Sequence, residues 1–322
     1  MSARSPARQA VPQALAGLAL DYLAEARAAA SRMRDPQDDE ALHDLRVALR
    51  RLHSLLRSYR QELAVLPQKQ RRRVRRLARA SNPARDAEVQ LEWLQKQERR
   101  LTEEQRLGFQ WLQQRLQPPA DNDLLRTLRD GVARLHRKLR PALKQLAGSD
   151  DDAMLFAELA AARARPMQAE VLAAMGNIGG ADDVGAAHEA RIAVKRLRYL
   201  LTPLKGEGPG CERALAVLRR LQDLLGDLHD RHVLTQLLSD GVAALMADHA
   251  RDVFAKAVRR EGRVTAGDWQ VPQLHGLLAV ARRNDAEVRR LYEQLQQEYL
   301  SQLEPTVAQP LHSAIAELDK LL

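Results

Sequence analysis

The sequence predicts an all-α protein, and its composition, its hydrophobic periodicity and an internal repeat all support this fold class. Leu, Ala, Arg, Gln and Glu dominate the 322 residues, and these residue types favour helices. Apolar residues recur at helical spacings of three and four along most of the chain, whereas no segment shows the alternation typical of a β-strand. We therefore expect helices that are joined by short turns.

Prolines mark most of the expected helix ends in the first part of the chain, because the residue before a proline avoids the helical region. Residues 1–9 are expected to be a flexible basic tail. The Asp35-Pro36 pair ends the first helix, Pro67 ends the second, and Ser81-Asn82-Pro83 ends the third. The helices of this part are expected over 11–34, 39–66, 68–80, 84–100, 102–116 and 122–146.

A polar segment, residues 148–152, is the clearest boundary in the sequence, since it reads Gly-Ser-Asp-Asp-Asp. It is expected to link a first helical half, 10–147, to a second half, 153–322. The helices of the second half are expected over 153–175, 184–203, 210–224, 229–247, 249–261 and 272–303, with a short helix at the C-terminal end.

The two halves share a repeated motif. Residues 43–52 read His-Asp-Leu-Arg-Val-Ala-Leu-Arg-Arg-Leu, and residues 188–197 read His-Glu-Ala-Arg-Ile-Ala-Val-Lys-Arg-Leu. Further along, Arg75-Arg76-Leu77 recurs as Arg219-Arg220-Leu221, and Arg85-Asp86 as His229-Asp230. The matches are about 145 residues apart, which predicts two similar helical bundles related by an internal pseudo-twofold axis.

Each copy of the motif places cations on one side of a helix and apolar residues on the other, since positions i, i+3 and i+7 share a face. In the first copy, Leu45, Leu49 and Leu52 form the apolar side. The cationic stripe of this helix consists of His43, Arg46, Arg50, His53, Arg57 and Arg60. In the second copy, the stripe consists of His188, Arg191, Lys195, Arg198 and Lys205. Arg51 and Arg196 lie at the edges of the two stripes, where they can reach a ligand or pair with a carboxylate.

Two other helices of the first half carry cationic stripes. One stripe, on the helix over 68–80, consists of Arg72, Arg75, Arg76 and Arg79. The other, on the helix over 122–146, consists of Arg126, Arg129, Arg137, Arg140 and Lys144. The counterpart of the second stripe, near 282–296, is weaker because Glu293 lies on the same face as Arg282 and Arg289.

This distribution of charge indicates an anionic partner that is rich in phosphate. Residues 1–147 contain 30 Lys and Arg against 17 Asp and Glu, whereas the remaining residues contain 21 against 25. Neighbouring cations along a helix face repel each other unless a negative group lies between them, and a phosphate chain supplies such groups. Histidine suits the same role, because a surrounding anion raises its pKa.

Two further observations limit the setting of the protein. A single cysteine, Cys211, excludes an internal disulfide framework and a thiolate zinc cluster, and it suits the cytoplasm. No apolar segment approaches the length of about 20 residues that a membrane span needs. We therefore expect a cytoplasmic protein that is not bound to a membrane.

The doubled motif resembles the CHAD family, whose name denotes a conserved-histidine α-helical domain. The matching residues are His43, Arg46, Val47, Arg50, Arg51 and Leu52 in the first half, and His188, Arg191, Ile192, Lys195, Arg196 and Leu197 in the second. The segment with Leu225-Gly226 and His229-Asp230 is similar to a second signature of the family. The equivalent segment of the first half, Ser81 to Asp86, lacks the Leu-Gly pair that is usual in this signature. The resemblance implies two bundles of four-helix type that flank a central basic cleft, and binding of inorganic polyphosphate.

By the same resemblance, the chain is a stand-alone binding module and not an enzyme, with polyphosphate granules as a further partner and no cofactor. Its polyphosphate-binding residues are expected to come from the stripes, their edges and one further pair of arginines. They are His43, Arg46, Arg50, Arg51, His53, Arg57, Arg72, Arg75, Arg76, Arg79, Arg126, Arg129, Arg137, Arg140, His188, Arg191, Lys195, Arg196, Arg198, Lys205, Arg219 and Arg220.

Two other functions rest on the same features. A nucleic-acid-binding protein uses similar cations, but aromatic residues for base stacking make up only 3% of this chain, so nucleic acid is expected only as a nonspecific competitor. A metal-dependent His-Asp phosphohydrolase contains the His-Asp dipeptide that is found here at His43-Asp44 and His229-Asp230. Such an enzyme needs additional carboxylate and histidine ligands where this sequence places Arg and Lys.

Overall fold

The computed structural model describes residues 5–35, 37–38, 40–81, 83–116, 122–148, 154–259 and 263–321. Within these ranges the chain forms α-helices and no β-strand, which confirms the predicted fold class. The helices are α1 (Val11–Arg32), α2 (Glu40–Ser58), α3 (Gln68–Ala80), α4 (Pro83–Glu98), α5 (Glu103–Leu116), α6 (Asn122–Ala147), α7 (Phe156–Gly176), α8 (Val184–Leu201), α9 (Pro209–Val258), α10 (Pro272–Glu298) and α11 (Gln309–Asp319).

Two groups of four helices share the larger hydrophobic core. In the first group, α1 packs against α2 and α6, and α3 packs against α2 and α6. In the second group, α7 packs against α8 and α11, and the N-terminal part of α9 packs against α8 and α11. The buried leucines of both groups belong to one continuous cluster, so the two bundles are joined through a common core.

The remaining helices build a separate core that does not follow the expected halves. Leu94 of α4 and Phe109 of α5 are buried together with Leu234 and Leu238 of α9 and Leu277 of α10. Two helices of the first half therefore pack against two helices of the second. Residues 149–153, which contain most of the expected linker, lie outside the described residues.

The second half contains one long helix where the sequence predicted three. Helix α9 runs without a break over 50 residues, a length of about 75 Å. The predicted ends near 224–229 and 247–249 contain no proline, and Gly226 does not interrupt the helix. The burial of Leu221 and Leu225 in the larger core and of Leu234 and Leu238 in the smaller one keeps the helix continuous, because both cores stabilise it.

The bundle counterpart of α6 is also different from the expected one. Helix α11 packs against α7 and α9 as α6 packs against α1 and α3, whereas the segment 282–296 belongs to α10, which packs against α5 and α9. Glu317 of α11 holds this arrangement, because its carboxylate accepts hydrogen bonds from the backbone N–H groups of Gly210 and Cys211 at 2.7 and 3.0 Å. A carboxylate is favourable at the N-terminus of a helix such as α9.

Helix α2 ends eight residues earlier than predicted, at Ser58. Arg163 of α7 donates a hydrogen bond to the Ser58 carbonyl and forms an ion pair with Glu62 at 2.6 Å. Arg163 therefore satisfies a carbonyl that is left without a partner at the end of the helix. The next residue, Tyr59, is fully buried, with its hydroxyl 3.4 Å from the Leu200 carbonyl.

Two smaller observations complete the fold. The described part of the expected flexible tail forms a short 3-10 helix, Pro6–Arg8, with Ala7 buried against the core. Its neighbour Ala10 forms an isolated bridge with Leu155. No helix in the described part of the chain is both long and apolar enough to cross a membrane.

The crossing of α5 and α10 yields a prediction about stability. A Cβ atom at Gly108 would meet the Gln273 carbonyl and would lie 2.9 Å from the Cα of Gly276, whereas a Cβ atom at Gly17 in α1 would meet no atom within 4 Å. We expect Gly108→Ala to lower the free energy of unfolding by about 1–3 kcal/mol, because the two helices must separate. As the control, Gly17→Ala should raise it by about 0.5–1 kcal/mol, because alanine favours a helix.

Urea unfolding followed by far-UV circular dichroism measures both effects. Equal stability of Gly108→Ala and the wild type would contradict the close contact between α5 and α10.

Candidate polyanion-binding cleft

The cationic stripe of α2 lies opposite a buried apolar face of the same helix. Leu45, Leu49 and Leu52 are fully buried, so the opposite side of the helix points away from the core. One residue of the stripe, Arg46, is itself buried, and its Nε donates a hydrogen bond to the Ser81 carbonyl at 2.7 Å. Since Ser81 follows α3 directly, Arg46 joins α2 to the C-terminal end of α3 and sets the distance between their cationic faces.

Helix α8 presents the second copy of the motif opposite α2. Val194 and Leu197 are fully buried in the core, and the side of the helix with Lys195 and Arg196 faces α2 and α3. A cleft of about 480 Å³ separates the three helices, which we call the central cleft. It is lined by Arg46, Arg50, His53, Ser54, Arg57, Ser58, Arg75, Ala78, Arg79, Ile192, Lys195, Arg196 and Tyr199. Both halves of the chain therefore contribute cations to one site.

The central cleft continues into a larger space between α2 and α3, which we call the α2–α3 chamber. The chamber has a volume of about 690 Å³ and shares four residues with the cleft. It is lined by His53, Leu56, Arg57, Arg60, Gln68, Arg71, Arg72, Arg75 and Arg79. No Asp or Glu lines either space among the described residues.

Two side chains that line these spaces, Lys195 and His53, have lowered pKa values, because burial and the neighbouring cations disfavour their charged forms. Burial and the neighbouring Arg191, Arg50, Arg198 and Arg57 lower the pKa of Lys195 to about 8. Burial, followed by Arg57, Arg75, Arg79 and Lys195, lowers the pKa of His53. Each shift shows that a positive charge is unfavourable in the cleft unless an anion is present.

A histidine pair lies next to the cleft on the side of the second half. The rings of His188 and His229 are 5.1 Å apart between their centroids. Burial, with Arg191, His188, His232 and Lys195, lowers the pKa of His229 to about 4, so this ring is neutral at pH 7. His229 was not among the predicted site residues, although the match of His229-Asp230 to Arg85-Asp86 in the repeat points to this position.

Other residues of the second stripe lie around this pair. Arg198 donates to Gln222 at 2.7 Å and stacks on the ring of Tyr199. The Nε atom of Arg191 is buried without a hydrogen-bond partner among the described residues. Lys205 is exposed in the turn that follows α8. Of the predicted second stripe, Lys195 lines the cleft, whereas Arg191 and Arg198 do not line it but help to lower the pKa of Lys195.

Several predicted site residues lie outside the two spaces. Arg51 pairs with Glu25 of α1 at 3.2 Å, which is one of the two expected alternatives. Arg126 pairs with Asp123 at 3.0 Å. The others are exposed or partly exposed and do not line the cleft or the chamber: His43, Arg76, Arg129, Arg137, Arg140, Arg219 and Arg220.

The geometry of the helices explains these differences. In α3, Val74 and Leu77 are buried, and this orients the helix so that Arg71, Arg75 and Arg79 face α2. Arg76 lies outside the part of the helix surface that faces α2. Arg71 was missed because it precedes the predicted stripe by one position. Leu128, Leu135 and Leu139 form the apolar face of α6 and are buried in the core. The cationic stripe lies on the opposite face of α6 and therefore points away from α2.

The surroundings of His229-Asp230 and of its first-half counterpart, Arg85-Asp86, also bear on the alternative enzyme. His229 is surrounded by basic groups, as the causes of its pKa shift show. In the described residues no three His, Cys, Asp or Glu side chains converge in a metal-binding arrangement. The side chains of Arg85 and Asp86 lie outside the described residues.

Comparisons with known proteins agree with this fold. The sequence model of the CHAD domain matches residues 17–239, which is more than half of the chain. No curated protein sequence matches. The crystal structure of the CHAD domain from the plant Ricinus communis is similar, with a TM-score of 0.58 and 21% identity over 90% of this chain and 93% of that chain.

The electrostatics of the cleft can be tested without a ligand. We expect the amine of Lys195 to react with an acylating reagent with a midpoint near pH 8 in the folded protein, and near the ordinary lysine value of about 10.4 after denaturation. Replacing Arg50 with Gln should raise the folded midpoint, because Arg50 is one of the cations that lower it.

Competitive labelling with mass spectrometry measures these midpoints. The adjacent variant Arg51→Gln is the matched control, since Arg51 pairs with Glu25 on the other side of α2. An equal effect of both variants would contradict an orientation of α2 in which Arg50, but not Arg51, faces Lys195.

Proposed function

Because the chain belongs to the CHAD domain family, whose members are associated with polyphosphate binding in general, we propose that it binds inorganic polyphosphate in the central cleft. The binding is non-catalytic, and the phosphate chain extends from the cleft into the α2–α3 chamber. The observation that carries this proposal is the lining of these two connected spaces, which combines ten Arg and Lys side chains with no carboxylate among the described residues.

The chemistry of this lining suits a flexible chain of phosphates. Arginine presents several N–H donors in a planar fork that matches the oxygens of a phosphate group, and such charge-assisted hydrogen bonds are stronger than neutral ones. Burial and the neighbouring cations lower the pKa values of Lys195 and His53, so positive charge is unfavourable at both positions. A bound polyanion favours the charged forms of both side chains.

The position of the cations favours polyphosphate over duplex nucleic acid. Arg57, Arg75 and Arg79 line spaces between helices, where a thin phosphate chain can contact cations of several helices at once, whereas a wide duplex contacts only their outer edge. The cleft contributes Tyr199 as an aromatic lining residue, which is little for a protein that stacks single-stranded bases. Nucleic acid therefore remains a competitor that binds through charge alone.

The site also supports a binding role rather than hydrolysis. A metal-assisted reaction needs carboxylate or histidine ligands around the reacting phosphate, whereas this cleft surrounds it with Arg50, Arg57 and Lys195. The same chemistry would attach the protein to polyphosphate granules. A cytoplasmic location is part of this proposal, since the single cysteine, Cys211, is buried and unpaired.

A pair of charge-matched variants tests the cleft. The first replaces Arg50, Arg57, Arg75 and Lys195 with Gln, and the second replaces Arg126, Arg137, Arg219 and Arg220. Both remove four positive charges, but only the first set lines the cleft. We expect the first variant to lose at least about 100-fold in affinity, since each charged hydrogen bond contributes about 1.5–3 kcal/mol before losses elsewhere. The second should lose only a few-fold.

Isothermal titration with long-chain polyphosphate at one salt concentration measures both affinities. If the two variants weaken binding equally, net charge alone attracts the ligand and the assignment of the site fails.

A second test concerns the choice of ligand. We expect affinity to rise from orthophosphate to tripolyphosphate and then to long-chain polyphosphate, because more phosphates engage the cleft and the chamber together. Duplex DNA with the same number of charges should bind more weakly and with no dependence on the cleft residues. Titrations in the same buffer compare the four ligands, and equal affinity for DNA and polyphosphate would contradict a site that is specific for polyphosphate.

A further inference from the structure

A second basic groove lies on the opposite side of the first bundle. It runs between α1 and α6, has a volume of about 280 Å³ and is lined in part by Arg27, Arg34 and Arg129. We call it the outer groove. Because α1, α2, α3 and α6 pack in a ring, the groove between α1 and α6 is separated from the α2–α3 chamber by the core of the bundle. It belongs to neither space of the central site.

The arginines of the outer groove differ in their partners from Arg32 of α1 and Arg51 of α2, which form ion pairs with carboxylates. Towards α2, Arg32 pairs with Asp38 at 2.8 Å and with Asp44, and Arg51 pairs with Glu25. In the outer groove, the three arginines form no ion pair with a carboxylate among the described residues. One acidic side chain of the described residues, Asp130, lines the groove with them.

The positive charge continues along α6 beyond the groove. His136 and Arg140 lie on the same face of α6 as Arg129, at spacings of seven and eleven residues. Burial, followed by the charges of Arg27 and Arg140, lowers the pKa of His136. The face of α6 that was predicted to bind polyphosphate therefore forms a continuous cationic surface with α1, although it lies outside the central cleft.

The second bundle provides an internal comparison. Its groove between α7 and α11 occupies the equivalent position, since α7 and α11 pack as α1 and α6 do. There Arg165 pairs with Asp319 at 2.5 Å, and Leu172 and Ile315 line much of the remaining surface. The same groove is thus neutralised in one bundle and left positive in the other.

We propose that the outer groove is a second binding site for a polyphosphate chain, so that one molecule holds two chains on opposite sides of its first bundle. This inference rests on the proposed function of the central cleft. Arg27, Arg34 and Arg129 bind phosphate groups of the chain, and Arg140 binds further phosphate groups along α6. The outer groove is smaller than the cleft and is lined by fewer cations, so it binds more weakly. A protein with two such sites crosslinks long chains into assemblies, because each molecule can join two of them.

The experiment separates the two sites by substitution. The outer-groove variant replaces Arg27, Arg129 and Arg140 with Gln. The matched control replaces Arg106, Arg213 and Arg219, which are exposed cations away from both sites.

Titration with tripolyphosphate measures the high-affinity site, and light scattering with long-chain polyphosphate measures the assemblies. We expect the outer-groove variant to bind tripolyphosphate within about twofold of the wild type but to scatter about tenfold less light. The control should match the wild type in both measurements.

Equal scattering by the outer-groove variant and its control would overturn the inference and leave the function of the cleft untouched. A second comparison distinguishes the reverse case. Substitution of Arg50, Arg57, Arg75 and Lys195 removes the cleft, and the outer-groove substitutions are then added to this variant. We expect residual binding of long-chain polyphosphate that disappears in the combined variant. If the cleft variant binds as well as the wild type, the proposed function fails, while loss of binding in the combined variant still supports the outer site.

Discussion

The fold depends on the ability of its apolar core to hold two cationic helix faces against each other. Helices α2 and α8 turn Arg50, Arg57 and Lys195 towards a common cleft, where the charges repel. What opposes this repulsion is burial behind the two helices, where their leucines belong to one hydrophobic cluster. Tyr59 fastens the junction, because its buried ring contacts Phe156 at a centroid distance of 5.3 Å and its hydroxyl reaches the backbone of α8.

The same constraint suits the cleft to the ligand that we propose for it. The lowered pKa values of Lys195, His53 and His229 indicate that folding places these groups where a positive charge is unfavourable. The unfavourable interactions are already present in the folded protein, and an anion relieves them. The hydrogen bond from Arg46 to the Ser81 carbonyl also ties α2 to the end of α3, so two walls of the cleft are connected in the folded protein. The cleft is therefore preorganised for a polyanion.

The sequence predicted the local elements of this arrangement better than their assembly. The spacing of Arg50 and Lys195 in the repeat located both walls of the cleft, because helical periodicity decides which face of a helix is buried. It could not show that Arg129 faces the other side of the bundle, since that depends on which helices α6 contacts. Periodicity also gave no sign that α9 is continuous near Gly226 or that α11 replaces α10 in the second bundle. Such features are decided by packing between distant segments.

The two halves of the repeat have diverged in charge, and the geometry of the cleft explains why. Helix α3 contributes Arg71, Arg75 and Arg79 to the chamber, whereas the corresponding part of α9 leaves Arg219 and Arg220 exposed to solvent. Two cations about 5 Å apart repel each other by about 3 kcal/mol at an effective dielectric constant near 20. A second bundle as basic as the first would add several such pairs across the cleft and oppose the packing of α2 against α8. The excess of positive charge in the first half therefore allows a strongly basic site without these additional pairs, while the core that both halves share holds α2 against α8.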